Sequence, residues 1–145
     1  MQVRHILDTK GRDVITVAGD VSLGEVARIL SDNRIGALLV NGKTDAPAGI
    51  VSERDLVRAV ANKGAAALSE AVESHMTKTP QTCKQTDTVE SIMEMMTRGR
   101  FRHVPVLDDD GRLCGMVSIG DVVKIRIAET VREAAVLRDY ISAAV

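Results

Sequence analysis

Residues Gly49–Asp55 read GIVSERD and residues Gly115–Asp121 read GMVSIGD. The two stretches share Gly, Val, Ser and Asp at one spacing and lie 66 positions apart. Sliding the chain by that offset aligns Thr16–Val60 with Thr82–Arg126 without a gap. Eight positions are then identical: Thr16/Thr82, Arg34/Arg100, Val40/Val106, Gly49/Gly115, Val51/Val117, Ser52/Ser118, Asp55/Asp121 and Val57/Val123. Roughly three identities are expected by chance from average residue usage. Apolar positions track as well, among them Leu23/Val89, Val26/Ile92, Leu30/Met96 and Ile35/Phe101. The chain is an internal duplication.

Each copy reads the same way outward from its motif. A short extended piece (Val14–Val17; Gln81–Cys83) precedes an amphipathic helix over about Ser22–Asn33 and Thr88–Arg98. Its apolar residues recur at helical spacing: Leu23, Val26, Ala27 and Leu30, then Val89, Ile92, Met93 and Met96. Ser22 and Glu25 form a capping box. Two strands follow (Ala37–Val40 and Ala48–Val51; Val104–Leu107 and Leu113–Val117), split by the turn residues Asn41-Gly42 and Asp108–Gly111. A second helix begins after Ser52 and after Ser118. The copies span 1–63, with the N-terminal segment, and 80–145, with an extended last helix; 64–79 is a linker. Within it, Ala65–His75 reads as a short helix and Thr77–Pro80 as extended. The last helix runs towards Ile141 with a stripe of Ile127, Val131, Ala134 and Ile141, which needs apolar cover from the N-terminal segment or from a second copy of the chain.

Composition removes several functions. Of the 145 residues, 45% are hydrophobic and 27% charged, the balance of a soluble globular chain. Aromatics make up 1%, so Val, Ile, Leu, Met and Ala build the core. A net charge of −1, without a basic run or aromatic stacking platforms, argues against nucleic acid. No apolar stretch reaches the roughly 20 residues that span a bilayer, and MQVRHILDTKGRD lacks the apolar centre of a secretory signal. A cytoplasmic location is expected. Cys83 and Cys114 do not combine with His5, His75 and His103 at zinc-site spacing and read as small core hydrophobes. A metal site is not expected.

The Gly-h-Val-Ser-x-x-Asp motif, at a strand-to-helix junction, has two readings. One is capping, with Ser52 and Ser118 as N-caps and Asp55 and Asp121 returning a hydrogen bond. The other is ligand binding: a helix N-terminus favours a phosphate, a Ser hydroxyl reaches phosphate oxygens, and a carboxylate accepts both hydroxyls of a ribose. Gly49 and Gly115 would let the backbone approach the ligand closely. Repetition of the whole motif favours the second reading, because a cap needs no Gly upstream.

On these motifs, with IGALLV and FRHVPV and the gapless repeat, the chain resembles the cystathionine-β-synthase (CBS) domain family over about Val14–Arg126. The resemblance implies an α/β (α+β) fold of two tandem β-α-β-β-α repeats related by a pseudo-twofold axis, a pair called a Bateman module. Two clefts lie between the repeats, each joining the Ser/Asp motif of one to strand segments of the other. Carried over, one cleft holds Ser118, Asp121 and Met116 against Thr16, Ile35, Gly36 and Ala37. The other holds Ser52, Asp55 and Ile50 against Thr82, Phe101, Arg102 and His103. Asp takes the ribose, Ser the phosphate, and aliphatic side chains sandwich the adenine. Arg102 and His103 match the family's phosphate-neutralising positions, whereas the first repeat has Gly36 and Ala37 there; Arg54 is either a compensating charge or a solvated helix residue.

The resemblance implies a regulatory module for adenine nucleotides, with AMP favoured and ADP, ATP, NAD(H) or S-adenosylmethionine as further ligands, and no required cofactor. It also implies a homodimer acting on a separate protein target. An enzyme is not expected, since no nucleophile–base pair, carboxylate pair or metal cluster is visible. A scaffold that works by dimerisation without ligand is the competing function.

Overall fold

Ser22 caps its helix as read, but Glu25 does not close the capping box, because its carboxylate pairs with Arg28 instead. In the computed structural model, which describes residues 1–144, the Ser22 and Thr88 hydroxyls accept the backbone N–H groups of Glu25 and Ser91 at 3.2 and 3.1 Å. They start α2 (Leu23–Asn33) and α4 (Val89–Gly99). Each helix buries one stripe: Leu23, Val26 and Leu30, then Val89, Ile92 and Met96. Met93 falls outside its stripe and is exposed. Both helices end on an arginine in the left-handed region, Arg34 at φ 54° and Arg100 at φ 56°.

Each helix feeds a small sheet, and the two sheets repeat each other residue by residue. In the first, β1 (Thr16–Val17) runs parallel to β2 (Ala37–Asn41), which pairs antiparallel with β3 (Pro47–Ser52). In the second, β5 (Cys83–Lys84), β6 (His103–Leu107) and β7 (Leu113–Ser118) do the same. The pairs Val17↔Val40, Ala37↔Ser52 and Asn41↔Pro47 become Cys83↔Val106, His103↔Ser118 and Leu107↔Leu113, and the bulge recurs at the same place. Helices α3 (Glu53–Lys63) and α5 (Ile119–Ala143) close the two units. This is the mixed fold of tandem repeats expected above.

The segments outside the repeats depart from the sequence reading. Residues 3–10, for which no helix is expected, form α1 (Val3–Lys10). Although it precedes the first repeat, α1 packs into the core of the second, where Val3, Ile6 and Leu7 meet Val89, Ile92, Val104, Val117 and Val122. The linker instead completes the first core with Ala67, Val72 and Met76. It is not a continuous helix but two 3₁₀ turns, Gly64–Ser69 and Val72–Ser74. The chain must extend between them so that Ala71 bridges Ser22 and the Leu23 N–H reaches the Glu70 carbonyl at 2.9 Å. The extended stretch then adds β4 (Thr77–Lys78) to the free edge of β3.

Gly49 and Gly115 have a packing reason that the sequence reading assigns to the ligand instead. A Cβ at Gly115 would stand 2.7 Å from Leu7 Cδ2. One at Gly49 would collide with the Met76 side chain and the Thr77 carbonyl oxygen. The glycines admit the covering segments over each sheet.

Only the first part of α5 is covered. Val122 is buried, and the N-terminal amine lies 3.9 Å from the Glu129 carboxylate. Ile127, Val131, Leu137 and Ile141 are nevertheless 56–64% exposed, so the N-terminal segment does not cover the stripe. No helix among the described residues is long and apolar enough to cross a membrane.

Candidate functional site

Strand β3 turns into α3 at Ser52, whose backbone is still extended (φ −121°, ψ 168°). Asp55 Oδ2 accepts the Ser52 N–H at 2.9 Å and the Ser52 hydroxyl at 3.2 Å. The same bonds tie Asp121 Oδ2 to Ser118, at 2.8 and 2.9 Å. Capping and ligand binding therefore do not exclude each other: one carboxylate oxygen holds the helix start and the second is left over. At Asp55 the nearest cation to that second oxygen, Oδ1, is Arg58 at 3.6 Å, too far for a hydrogen bond.

The first cleft, about 500 Å³, opens over this junction. Ile50, Ser52, Arg54 and Asp55 form its floor, and Phe101, Arg102 and His103 from the other repeat face them. Arg54 Nη1 also points across the repeat boundary to the Arg100 carbonyl oxygen at 3.4 Å. Thr82 is not in the wall, which Thr79, Pro80 and Gln81 supply instead. The second cleft, about 320 Å³, brings Ile35, Gly36 and Ala37 together with Met116 and Ser118. Thr16 lies outside it, and Val14 and Ile15 take its place. In both clefts the lining comes from residues one to three positions before the threonine that the motif implies. Strand alternation buries Val17 and Cys83, and Thr16 is left exposed away from the cleft.

The clefts differ in charge. Four arginines line the first, Arg54, Arg58, Arg100 and Arg102, against the carboxylates Glu53 and Asp55. Asp121 is absent from the lining of the second cleft, and Lys10 Nζ, at the end of α1, bonds Asp121 Oδ2 at 2.7 Å and the Met116 carbonyl at 2.9 Å. Burial pushes the Asp121 carboxyl up, but the hydrogen bonds from Lys10 and Ser118 outweigh it and hold the group below its ordinary value. Gly36 and His103 line both clefts. Burial lowers the His103 pKa, Arg102 and Lys10 repel its proton further, and Glu53 and Asp121 oppose them. His103 is thus neutral at pH 7. Cys83, by contrast, is a core thiol pushed up to about 12 by burial first, then by Asp87 and Cys114.

Sequence reasoning misses Lys10, Arg58 and Arg100. Arg100 carries a signal, since Arg34 and Arg100 are identical across the repeats. Lys10 carries none, because its repeat equivalent is Met76.

The comparisons agree with this architecture. The family model described as CBS domain matches twice, over residues 3–62 and 71–128. The crystal structure of a CBS-domain containing protein from Agrobacterium tumefaciens is 52% identical, with a TM-score of 0.83 over 87% of this chain and 99% of that one. A CBS domain protein from Pyrobaculum aerophilum, complexed with AMP, is 32% identical, with a TM-score of 0.72 over 83% of this chain and 89% of that one. A mitochondrial CBS domain-containing protein of Arabidopsis thaliana is 31% identical over 96% of this chain and 71% of its own length. With the motif, register and bulge all present twice, this chain belongs to the CBS-domain family and is a tandem CBS pair.

Proposed function

We propose that this CBS pair is a regulatory module that binds an adenine nucleotide, AMP first, in the Ser52–Asp55 cleft. The observation that carries the reading is the free Oδ1 of Asp55, on a carboxylate already fixed by its cap and opposite a cluster of arginines. A ribose diol would take that oxygen. Ile50 and Phe101 give apolar contact for the base. With His103 neutral, four arginines against two carboxylates leave a cleft charge of +2, which an AMP phosphate of about −1.5 to −2 matches. The longer phosphate tails of ADP and ATP exceed it, and S-adenosylmethionine, which has no phosphate, would leave the arginines unmatched, so these rank below AMP, with NAD(H) second. The AMP complex of the Pyrobaculum relative supports the same class of ligand.

The module acts by binding and not by turnover. Ser52 and Ser118 spend their hydroxyl protons on Asp55 and Asp121, and no hydrogen bond joins His103 to either serine among the described residues. The exposed face of α5, together with Val57 and Val123 at repeat-related positions (69% and 46% exposed), supports a homodimer that presents the nucleotide state to a separate protein. A scaffold that ignores ligand would leave the arginine-lined cleft without a role.

A thermal-shift screen of AMP, ADP, ATP, NAD and S-adenosylmethionine tests the reading. AMP at 100 times its Kd adds about 2.7 kcal/mol, a rise of several degrees in Tm for a chain of this size. If none of the five moves the transition at millimolar concentration, the nucleotide reading is wrong.

A further inference from the structure

The repeats match in motif and register, yet their two Ser/Asp junctions are not chemically equivalent, and one side chain makes the difference. A carboxylate offers about four acceptor positions. Asp55 spends two, on the Ser52 N–H and hydroxyl, which leaves room for both hydroxyls of a ribose. Asp121 spends three, on the Ser118 N–H, the Ser118 hydroxyl and Lys10 Nζ. All three lie on Oδ2, so what sets this junction apart is the Lys10 side chain held across it, with Asp121 outside the lining of its cleft. Lys10 also reaches the Met116 carbonyl at 2.9 Å, so it spans the mouth between carboxylate and strand. In the first repeat the equivalent strand residue, Ile50, is paired by β4 at Thr77, and the residue equivalent to Lys10 is Met76, which lies over Gly49 and away from Asp55. The second cleft, correspondingly, is the smaller, at about 320 Å³ against 500 Å³.

We propose that Lys10 is a built-in occupant of the second cleft, holding Asp121 in place of a sugar, so that the chain takes a single adenylate. This rests on reading the first cleft as the adenylate site. It makes α1 part of the ligand logic: whatever draws Lys10 away opens a second site.

Calorimetric titration of AMP into the full chain tests it, with Lys10→Met, which makes the two junctions alike, and Lys10→Ala as a second variant. Lys10 is 37% exposed at its side chain, and thermal unfolding of both variants checks that the fold survives. The wild-type chain is expected to bind one AMP, each Lys10 variant two, and the Lys10→Met/Asp121→Asn double variant one again. Two AMP per wild-type chain, or one per chain in both Lys10 variants, overturns the proposal. If the wild type binds none and Lys10→Met binds one, the first cleft has been misread and the role of Lys10 stands. Binding by neither overturns both readings.

Discussion

Asp55 has two tasks in this structure, and they can be taken apart by substitution. Its carboxylate is 13% exposed, with Oδ2 turned to Ser52 and Oδ1 without a hydrogen bond. Asp55→Ala removes both oxygens. Loss of the cap should lower stability by about 1 kcal/mol. Loss of charge-assisted hydrogen bonds to a ribose should cost roughly 1.5–3 kcal/mol of binding, a 10- to 150-fold rise in Kd. Asp55→Asn separates the two. Its carbonyl oxygen still accepts the Ser52 N–H, while the amide that replaces the other oxygen donates and cannot receive a sugar hydroxyl. Stability should then stay within about 0.5 kcal/mol of wild type, with most of the affinity loss retained. The assay is AMP titration calorimetry paired with urea unfolding of each variant. Wild-type affinity in Asp55→Asn would refute the reasoning and leave Asp55 as a cap alone.

Three further outcomes follow from the same geometry. Arg100 sits in the left-handed region at φ 56°, a conformation that costs a non-glycine residue about 1–2 kcal/mol; Arg100→Gly should therefore raise stability in urea by roughly 0.5–1 kcal/mol net of glycine's entropy while weakening AMP binding, and unchanged affinity would remove Arg100 from the site. His103, held below its ordinary 6.5 by burial with Arg102 and Lys10, favours the folded state above that value, and the contribution is lost as pH falls from 6.5 through its folded value. In an NMR titration its midpoint should lie below 6.5 in the free chain and move up when a phosphate binds beside it; a midpoint indifferent to AMP would place the phosphate elsewhere. Light scattering should find a dimer at tens of micromolar, dissociated by Val131→Glu in the exposed stripe; a wild-type monomer contradicts the dimer.

The duplicated motif made most of the fold legible, because cap, strand and glycine recur at one offset and the pairing register follows that offset down to the bulge. Ile50, Ser52 and Asp55 on the motif side of the first cleft, and the Phe101–His103 segment facing them, were legible for the same reason, whereas Asp121 lies outside the lining of the second. What escaped depends on where the chain returns in space. In VRHILDTK, Val3, Ile6 and Leu7 have no acidic first turn to announce a helix, and their partners, Cys83 to Val122, lie far along the chain in the second core. Local sequence therefore does not reveal that they pack in the core of the other repeat. Thr77 and Lys78 look like linker because a strand of two residues has no period of its own and exists only against β3. Gly49 and Gly115 were visible as special, yet their neighbours, Met76 and Leu7, were not. Thr16 and Thr82, identical in the repeats, were read as cleft residues; the pleat turns Thr16 away, and Val14 and Ile15, which precede the strand, line the cleft instead.

The most direct test of the account is a crystal structure of the chain grown with AMP. The account predicts the nucleotide in the first cleft, with ribose hydroxyls on Asp55, the phosphate among Arg54, Arg100 and Arg102, and Lys10 still bonded to Asp121. A nucleotide seated on Asp121 with the Asp55 cleft vacant would contradict it.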